Sequence, residues 1–305
     1  MEHFSGIFFK IASVTMFVAM ASCLKATNGT VPSGELVFFR SFFALPVILV
    51  WLIWQKKLST GLTVKSPMGH VWRGLVGTTA MGLSFAGLTL LPLPEFTAIG
   101  YTAPLLVVIF AAMFLGEQVG VFRLSAVFVG MVGVMIVLSP RFSTLGNGLA
   151  EKEALGALLV LMGACFAALA QVFIRKLVRT ERTSAVVFWF SITATILSLF
   201  TIPFGWVWPS AWSLVFLVLA GILGGFGQIF LTSSYRLSDA SLVAPFEYSS
   251  MIMALLVGYF LFDEVPTTVM LSGAGLVMAA GVAIILRERH LGLKRAQQRK
   301  VTGPL

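Results

Sequence analysis

The chain says one thing twice. Residues 96–138 read FTAIGYTAPLLVVIFAAMFLGEQVGVFRLSAVFVGMVGVMIVL, and residues 243–286 read VAPFEYSSMIMALLVGYFLFDEVPTTVMLSGAGLVMAAGVAIIL. Each segment is patterned as an apolar helix, an acidic turn and a second, glycine-bearing apolar helix. Tyr101 stands sixteen positions before Glu117, and Tyr248 the same sixteen before Glu264. Thr102 and Ser249 follow the tyrosines, and Gly133 and Gly281 fall late in the closing helices. A repeat of this length inside apolar sequence predicts a membrane protein assembled from two related halves, as many secondary transporters are.

Composition identifies the solvent. Of 305 residues, 58% are apolar and only 11% charged, against about 25% charged in soluble domains. A bilayer-crossing helix needs about 20 apolar residues, and the chain supplies such stretches nearly end to end. The alternating segments of a membrane barrel are absent. Only Cys23 and Cys165 occur, both within apolar runs, so they read as buried thiols rather than a disulfide framework. Met20-Ala21-Ser22-Cys23 faintly resembles a lipoprotein cleavage box, but the later spans need no cleaved signal to insert.

Apolar runs between polar breaks predict an all-α polytopic protein of ten spans: 5–24, 34–54, 72–90, 95–115, 121–139, 154–174, 183–203, 211–232, 241–262 and 267–286. With a cytoplasmic N-terminus, most of the 21 Lys and Arg residues fall on the cytoplasmic side. Only Lys25, Arg141 and Lys152 fall opposite, with Arg40 inside a span. Positively charged loops stay inside, so both termini are expected in the cytoplasm. The net charge of +9 is therefore a topology signal, with contact to anionic lipid headgroups, and not a nucleic-acid footprint. Five spans per half is odd, so the halves must be inverted. The expected divisions are a first repeat over 1–139, an extracytoplasmic linker over 140–153, a second repeat over 154–287 and a basic cytoplasmic tail over 288–305. Inverted repeats place a shared site near the bilayer midplane and support alternating access.

The Ala-Pro-Leu run at 103–105, the Phe-Leu-Gly-Glu turn at 114–117 and the glycine-spaced span that follows resemble the drug/metabolite transporter superfamily, in its EamA branch. Ser238-Asp239-Ala240-Ser241, Ala244-Pro245-Phe246-Glu247-Tyr248 and Phe262-Asp263-Glu264-Val265-Pro266 carry the same resemblance in the second half. It implies two inverted five-helix bundles around a central cavity lined by the first, third and fourth helices of each half. It also implies a bacterial inner-membrane location and a small-molecule substrate. The likeness extends to a group that includes riboflavin importers. Two departures make the halves unequal: Asp263 stands where the first turn has Gly116, and Met251 where it has Pro104.

Ionisable groups inside spans are costly and therefore functional candidates. Glu247 lies about 9–10 Å along the ninth span at 1.5 Å per residue, behind Pro245, which removes a backbone donor and opens the helix locally. Proton uptake or substrate binding is one role for it, and a structural pairing with a basic side chain is the other. Arg40 reads as a scaffold cation, holding a carboxylate or backbone carbonyls of another helix. Glu95 follows Leu-Pro-Leu-Pro and favours the positive end of a helix dipole, with substrate binding the alternative. Tyr101 and Tyr248 are expected to line two mouths of one cavity, or to pack in the core. Gln171, Gln228, Ser84 and Thr78 either knit helices together or in part touch substrate. Gly221 and Gly225 form a small-xxx-small pair, read as close packing or as a hinge. Lys10 and Lys25 are expected to snorkel to the interfaces, and Trp206, Trp208 and Trp212 to form an interfacial belt.

The chain lacks a His-Glu-x-x-His motif, a phosphate-cradling loop and paired intramembrane aspartates, its only aspartates being Asp239 and Asp263. An intramembrane enzyme and ATP-driven transport are therefore disfavoured, and a channel has no need of inverted halves. The expectation is a non-enzymatic secondary transporter without cofactor or bound metal. Riboflavin uptake is the leading specific reading, and export of amino acids or other metabolites the alternative. Proton coupling and a homodimer are compatible with the sequence.

Overall fold

Ten apolar segments become ten crossings, and prolines decide where two of them break. The computed structural model describes residues 2–27, 29–115, 120–143, 148–238 and 243–301. Span 1 is α1 (Glu2–Lys25), and span 2 is split into α2 (Ser33–Phe42) and α3 (Ala44–Trp54). A short α4 (Leu58–Gly61) leads to span 3, α5 (Pro67–Leu88). Span 4 is split into α6 (Leu93–Gly100) and α7 (Thr102–Leu115), and span 5 is α8 (Val121–Ser143). Spans 6, 7 and 8 are α9 (Gly148–Leu177), α10 (Thr183–Leu199) and α11 (Ala211–Leu237). Span 9 opens as a 3₁₀ segment (Ala244–Tyr248) and continues as α12 (Ser249–Phe262), and span 10 is α13 (Thr268–Val301).

A proline ring clashes with the carbonyl four residues before it. For Pro46 that residue is Phe42, and for Pro104 it is Gly100, which are the last residues of α2 and α6. Thr193 and Met251 lie 147 positions beyond these prolines, and α10 accordingly runs unbroken. Span 9 is interrupted differently, by the 3₁₀ segment that carries Pro245. The two repeat tyrosines therefore stand at the two junctions, Tyr101 between α6 and α7 and Tyr248 at the end of the 3₁₀ segment.

Seven crossings are individually long and apolar enough to span a bilayer, and Thr183–Leu199 and Phe246–Phe262 are shorter apolar helices. The third crossing is diluted by Gly69, Gly74, Gly77, Gly82, Gly87 and Arg73, and it starts at Pro67 rather than near residue 72. The linker expected over 140–153 is largely helical where described, since α8 reaches Ser143 and α9 begins at Gly148. The expected tail is likewise helical through Val301.

Three helix pairs build the core: α1 on α11, α5 on α9, and α8 on α13. Glycines make each approach close, as membrane helices require when lipid supplies no hydrophobic drive. A Cβ on Gly133 would meet the Gly273 carbonyl oxygen at 2.8 Å, and one on Gly273 would meet the Gly133 oxygen at 2.6 Å. Gly6 packs against Ser238, and Gly156 against Leu90 and Leu91. These matched contacts bring Gly6 into register with Gly156, and so Lys10 with Val160. Gly221 faces Phe43 and Gly225 faces Ala44, so the glycine face of α11 sits against the break in span 2. Trp208 and Trp212 are exposed beside that helix start, as a belt requires, and Trp206 donates to Thr201 Oγ1 at 2.8 Å.

Candidate functional site

The α8–α13 seam and the junctions of spans 4 and 9 meet at the tyrosine pair. Tyr101 and Tyr248 pack edge to face, with ring centroids 4.9 Å apart at 69°. Both are buried, and they form one contact instead of flanking two mouths. Tyr101 Oη lies 2.6 Å from Ser250 Oγ and 3.3 Å from the Tyr248 carbonyl oxygen. Tyr248 Oη is buried without a hydrogen-bond partner. It points at Gly281, where a Cβ would sit 1.6 Å from it.

Next to Tyr248, Glu247 Oε2 accepts from Lys10 Nζ at 3.2 Å. Lys10 does not snorkel. It is 1% exposed, and its ammonium also lies over the Tyr235 ring, 5.2 Å from the centroid, with a 3.5 Å contact to Tyr235 Oη. Two charges in a low-dielectric interior are sustainable because each answers the other. The pairing is unequal, however. Glu247 keeps 30% of its side-chain surface accessible while Lys10 keeps 2%, so the carboxylate can be reached by a small molecule or a proton.

At the opposite face of the bundle Lys25 also leaves the snorkelling role. Its ammonium pairs with Glu264 Oε1 at 2.6 Å and donates to the Leu91 carbonyl oxygen. Glu264 Oε2 accepts from Leu93 N at 2.8 Å, supplying the first turn of α6 with a carboxylate. The end of α1, the start of α6 and the residues after α12 are thereby tied together. Glu117, the repeat partner of Glu264, lies outside the described residues, as does Asp239.

Arg40 is buried in span 2, and its Nη2 lies 3.5 Å from the Gly224 carbonyl oxygen, a long contact with a backbone carbonyl of another helix. Its guanidinium faces Phe190, as does that of Arg73, which the charge count had assigned to the cytoplasmic side. Gln228 is buried one turn beyond Gly224, with its Nε2 unpaired. Thr78 Oγ1 is likewise buried and unpaired. Glu95 is buried in the first turn of α6. Ser84 stands at the α5–α9 crossing, where a Cβ on Gly163 would meet its Oγ at 2.5 Å, and Gln171 is half-buried in α9.

The structure thus brings Glu247, Tyr248 and Tyr101 together with Lys10, Tyr235 and Ser250. The last three were not singled out from the sequence as site residues. Lys10 was detectable, because it shares an i, i+4, i+7 stripe with Gly6 and Ser13. Both pack on α11, Gly6 accepting from Ser234 Oγ and Ser13 Oγ donating to the Gly227 carbonyl at 2.8 Å. No group of three or more His, Cys, Asp or Glu side chains suited to a metal ion occurs among the described residues.

A profile of the EamA-like transporter family matches residues 4–139 and again residues 154–287. An S-adenosylmethionine uptake transporter of Rickettsia conorii is 28% identical over 98% of this chain and 96% of its own length. The pseudopaline exporter CntI of Pseudomonas aeruginosa is 28% identical over 92% of this chain and 95% of its own. A riboflavin transporter of Rhizobium johnstonii is 28% identical over 87% of this chain and 85% of its own. A solved structure, described as the crystal structure of a protein, shares the fold with TM-score 0.67 at 20% identity, covering 92% of this chain and 96% of its own.

Proposed function

This chain belongs to the EamA-like transporter family, a multi-pass membrane transporter of small metabolites, and from that premise we propose that it works by alternating access around the Lys10–Glu247 pair. The halves over 4–139 and 154–287 rock against each other about the Gly133–Gly273 crossing. Both termini lie in the cytoplasm of a bacterial inner membrane, by the asymmetry of basic residues. The observation that carries this reading is a partly accessible carboxylate beside two buried tyrosines, held by a buried ammonium at 3.2 Å. A carboxylate so placed accepts a proton or a substrate cation and releases Lys10 as it does so, which couples loading to a change in helix contacts.

Riboflavin uptake is one substrate reading, supported by one relative. A second reading is favoured by the buried charges. Opposite charges within the bundle suit an ionised, amino-acid-like metabolite better than a neutral ring, and the relatives named for S-adenosylmethionine and pseudopaline lend it support. Uptake and efflux into proteoliposomes, with radiolabelled riboflavin, S-adenosylmethionine and an amino-acid panel, decides between them. Movement of an ionised compound with riboflavin excluded supports the second reading. Movement of riboflavin alone supports the first, and absence of movement of every compound by well-folded protein counts against both.

A further inference from the structure

Arg40 and Arg73 enter the bilayer from opposite faces. Arg40 lies seven residues into α2 and Arg73 six residues into α5, each about 10 Å along its helix at 1.5 Å per residue. Their guanidinium groups converge on one buried ring. Arg73 Cζ is 3.9 Å from the Phe190 centroid and Arg40 Cζ is 5.5 Å from it, both within cation–π range. Both side chains are more than nine-tenths buried, at 3% and 4% exposure.

Neither cation is neutralised. Among the described residues no carboxylate comes within 4.0 Å of either guanidinium. Nε and Nη1 of both arginines are buried without a hydrogen-bond partner, and among the described residues the one polar contact of either guanidinium is that of Arg40 Nη2 with the Gly224 carbonyl at 3.5 Å. Two glycines make room for the guanidinium groups themselves. A Cβ at Gly77 would fall 1.9 Å from Arg73 Nη1, and one at Gly224 would fall 2.9 Å from Arg40 Nε. The unpaired amide nitrogen of Gln228 lies one turn from Gly224 on α11.

Two like charges beside one ring, in low dielectric and without an anion, repel one another and lack the hydration they had in water. Phe190 offsets only part of this, since a ring quadrupole attracts a cation but supplies no countercharge. The missing component is an anion, and planar guanidinium donors match the oxygens of a carboxylate or phosphate. We propose that Arg40, Arg73 and Phe190 form a binding station for the anionic group of the transported metabolite, a carboxylate or a phosphate. This rests on the transporter reading, and it adds a second station on the seam used by Lys10. Met20 of α1 meets Gly224 of α11 near Arg40, ten positions along α1 and eleven along α11 from the Lys10–Tyr235 contact, or about 15–17 Å along the seam. The carboxylate station at Glu247 and the arginine station therefore present opposite preferences to the metabolite at two depths along the α1–α11 pair.

The test begins with purified protein and two Arg→Gln variants, Arg40→Gln and Arg73→Gln, with Arg73→Lys as the charge-retaining control. Thermal unfolding is followed while acetate or inorganic phosphate replaces chloride at constant ionic strength. The expected result is a rise of roughly 3 °C or more for wild type with acetate or phosphate. The expected rise is absent in both Gln variants and partial in Arg73→Lys. Without added anion, the Gln variants should melt at or above the wild-type temperature, because each loses an unpaired buried charge. A scaffold role predicts the opposite, a lower melting temperature in both, and that result overturns the proposal. So does an equal effect of chloride, or a rise that survives in both Gln variants. Uptake of riboflavin against riboflavin 5′-phosphate, and of S-adenosylmethionine against its decarboxylated form, supplies the transport arm. Failure of wild type to move any of the four counts against the transporter reading and leaves the anion titration to stand on its own. Equal transport of the members of each pair overturns the anion station alone.

Discussion

Tyr101 and Tyr248 stand 147 positions apart in the chain and edge to face in the bundle, yet only Tyr101 has its hydroxyl satisfied. Tyr101→Phe removes the 2.6 Å hydrogen bond with Ser250 and should cost about 1 kcal/mol of stability. Tyr248→Phe removes a buried hydroxyl with no partner, so stability should hold or rise slightly. Substrate affinity should fall in Tyr248→Phe if that free hydroxyl meets the metabolite. Thermal melts and binding titrations on both variants separate the two effects. Equal destabilisation by both changes would show that Tyr248 Oη has a structural partner.

Gly281 is the seat of the Tyr248 hydroxyl. Gly281→Ala places a methyl group 1.6 Å from Oη and should displace the ring, at a cost of about 1–3 kcal/mol typical of overpacking. Gly275 on the same helix has nothing within 4 Å of an added Cβ, so Gly275→Ala should be neutral. A pair of detergent melts and transport assays reads the contrast. Indifference to Gly281→Ala would mean that the tyrosine has room to move.

The Lys10–Glu247 pair predicts an asymmetric cycle. Removing one partner of a buried ion pair typically costs about 3–5 kcal/mol, whereas removing both in well-packed form is near neutral. Because Glu247 is the more accessible partner, Glu247→Gln strands the buried Lys10 ammonium and should cost more stability than Lys10→Met, which leaves a carboxylate that solvent can reach. The double variant should recover most of the loss. Transport should be absent in Glu247→Gln and in the double variant, and any pH dependence of transport should go with it. Normal rate and pH response in well-expressed Glu247→Gln would remove this carboxylate from the mechanism.

Lys25 and Glu264 close the face opposite the N-terminus. Glu264→Gln leaves the ammonium beside the Leu91 carbonyl without its countercharge, and should shift the resting population toward states open on that face. In a background lacking Cys23 and Cys165, a cysteine at Ser250 should react faster with a membrane-impermeant thiol reagent added from outside, by about tenfold for a 1.4 kcal/mol shift. The charge-swapped Lys25→Glu, Glu264→Lys protein should return toward the wild-type rate. An unchanged rate in Glu264→Gln would show that the pair does not hold this face shut.

The span pattern was readable because lipid imposes length and apolarity on every crossing, and the inversion because the span count per half is odd. The broken helices were only half readable. Pro46 and Pro104 announce their breaks, but the interruption at Tyr248 needs no proline at its Pro104-equivalent position, where Met251 stands. Charge counting missed the depth of Lys10 and Arg73 for one reason. It assigns a cation by distance from a helix end, whereas depth depends on which face of the helix the residue occupies. Lys10 belongs to the stripe of Gly6 and Ser13, and Arg73 to that of Gly69 and Gly77, and small residues at those spacings mark the side turned toward other helices. The meeting of Arg40 with Arg73 needs three helices in place and has no local signature.

The antiparallel crossing at Gly133 and Gly273 has a thermodynamic corollary. Were the halves identical, exchanging their conformations would convert the inward-open molecule into the outward-open one at equal free energy. Every interaction common to both halves therefore cancels from that equilibrium. What remains is written only where the halves disagree: Lys10 against Val160, Glu247 against Gly100, Pro104 against Met251. Each 1.4 kcal/mol contributed by such a mismatch tilts the resting ratio about tenfold. On the alternating-access reading proposed above, a few unlike residues thus encode the side on which the protein waits for its cargo.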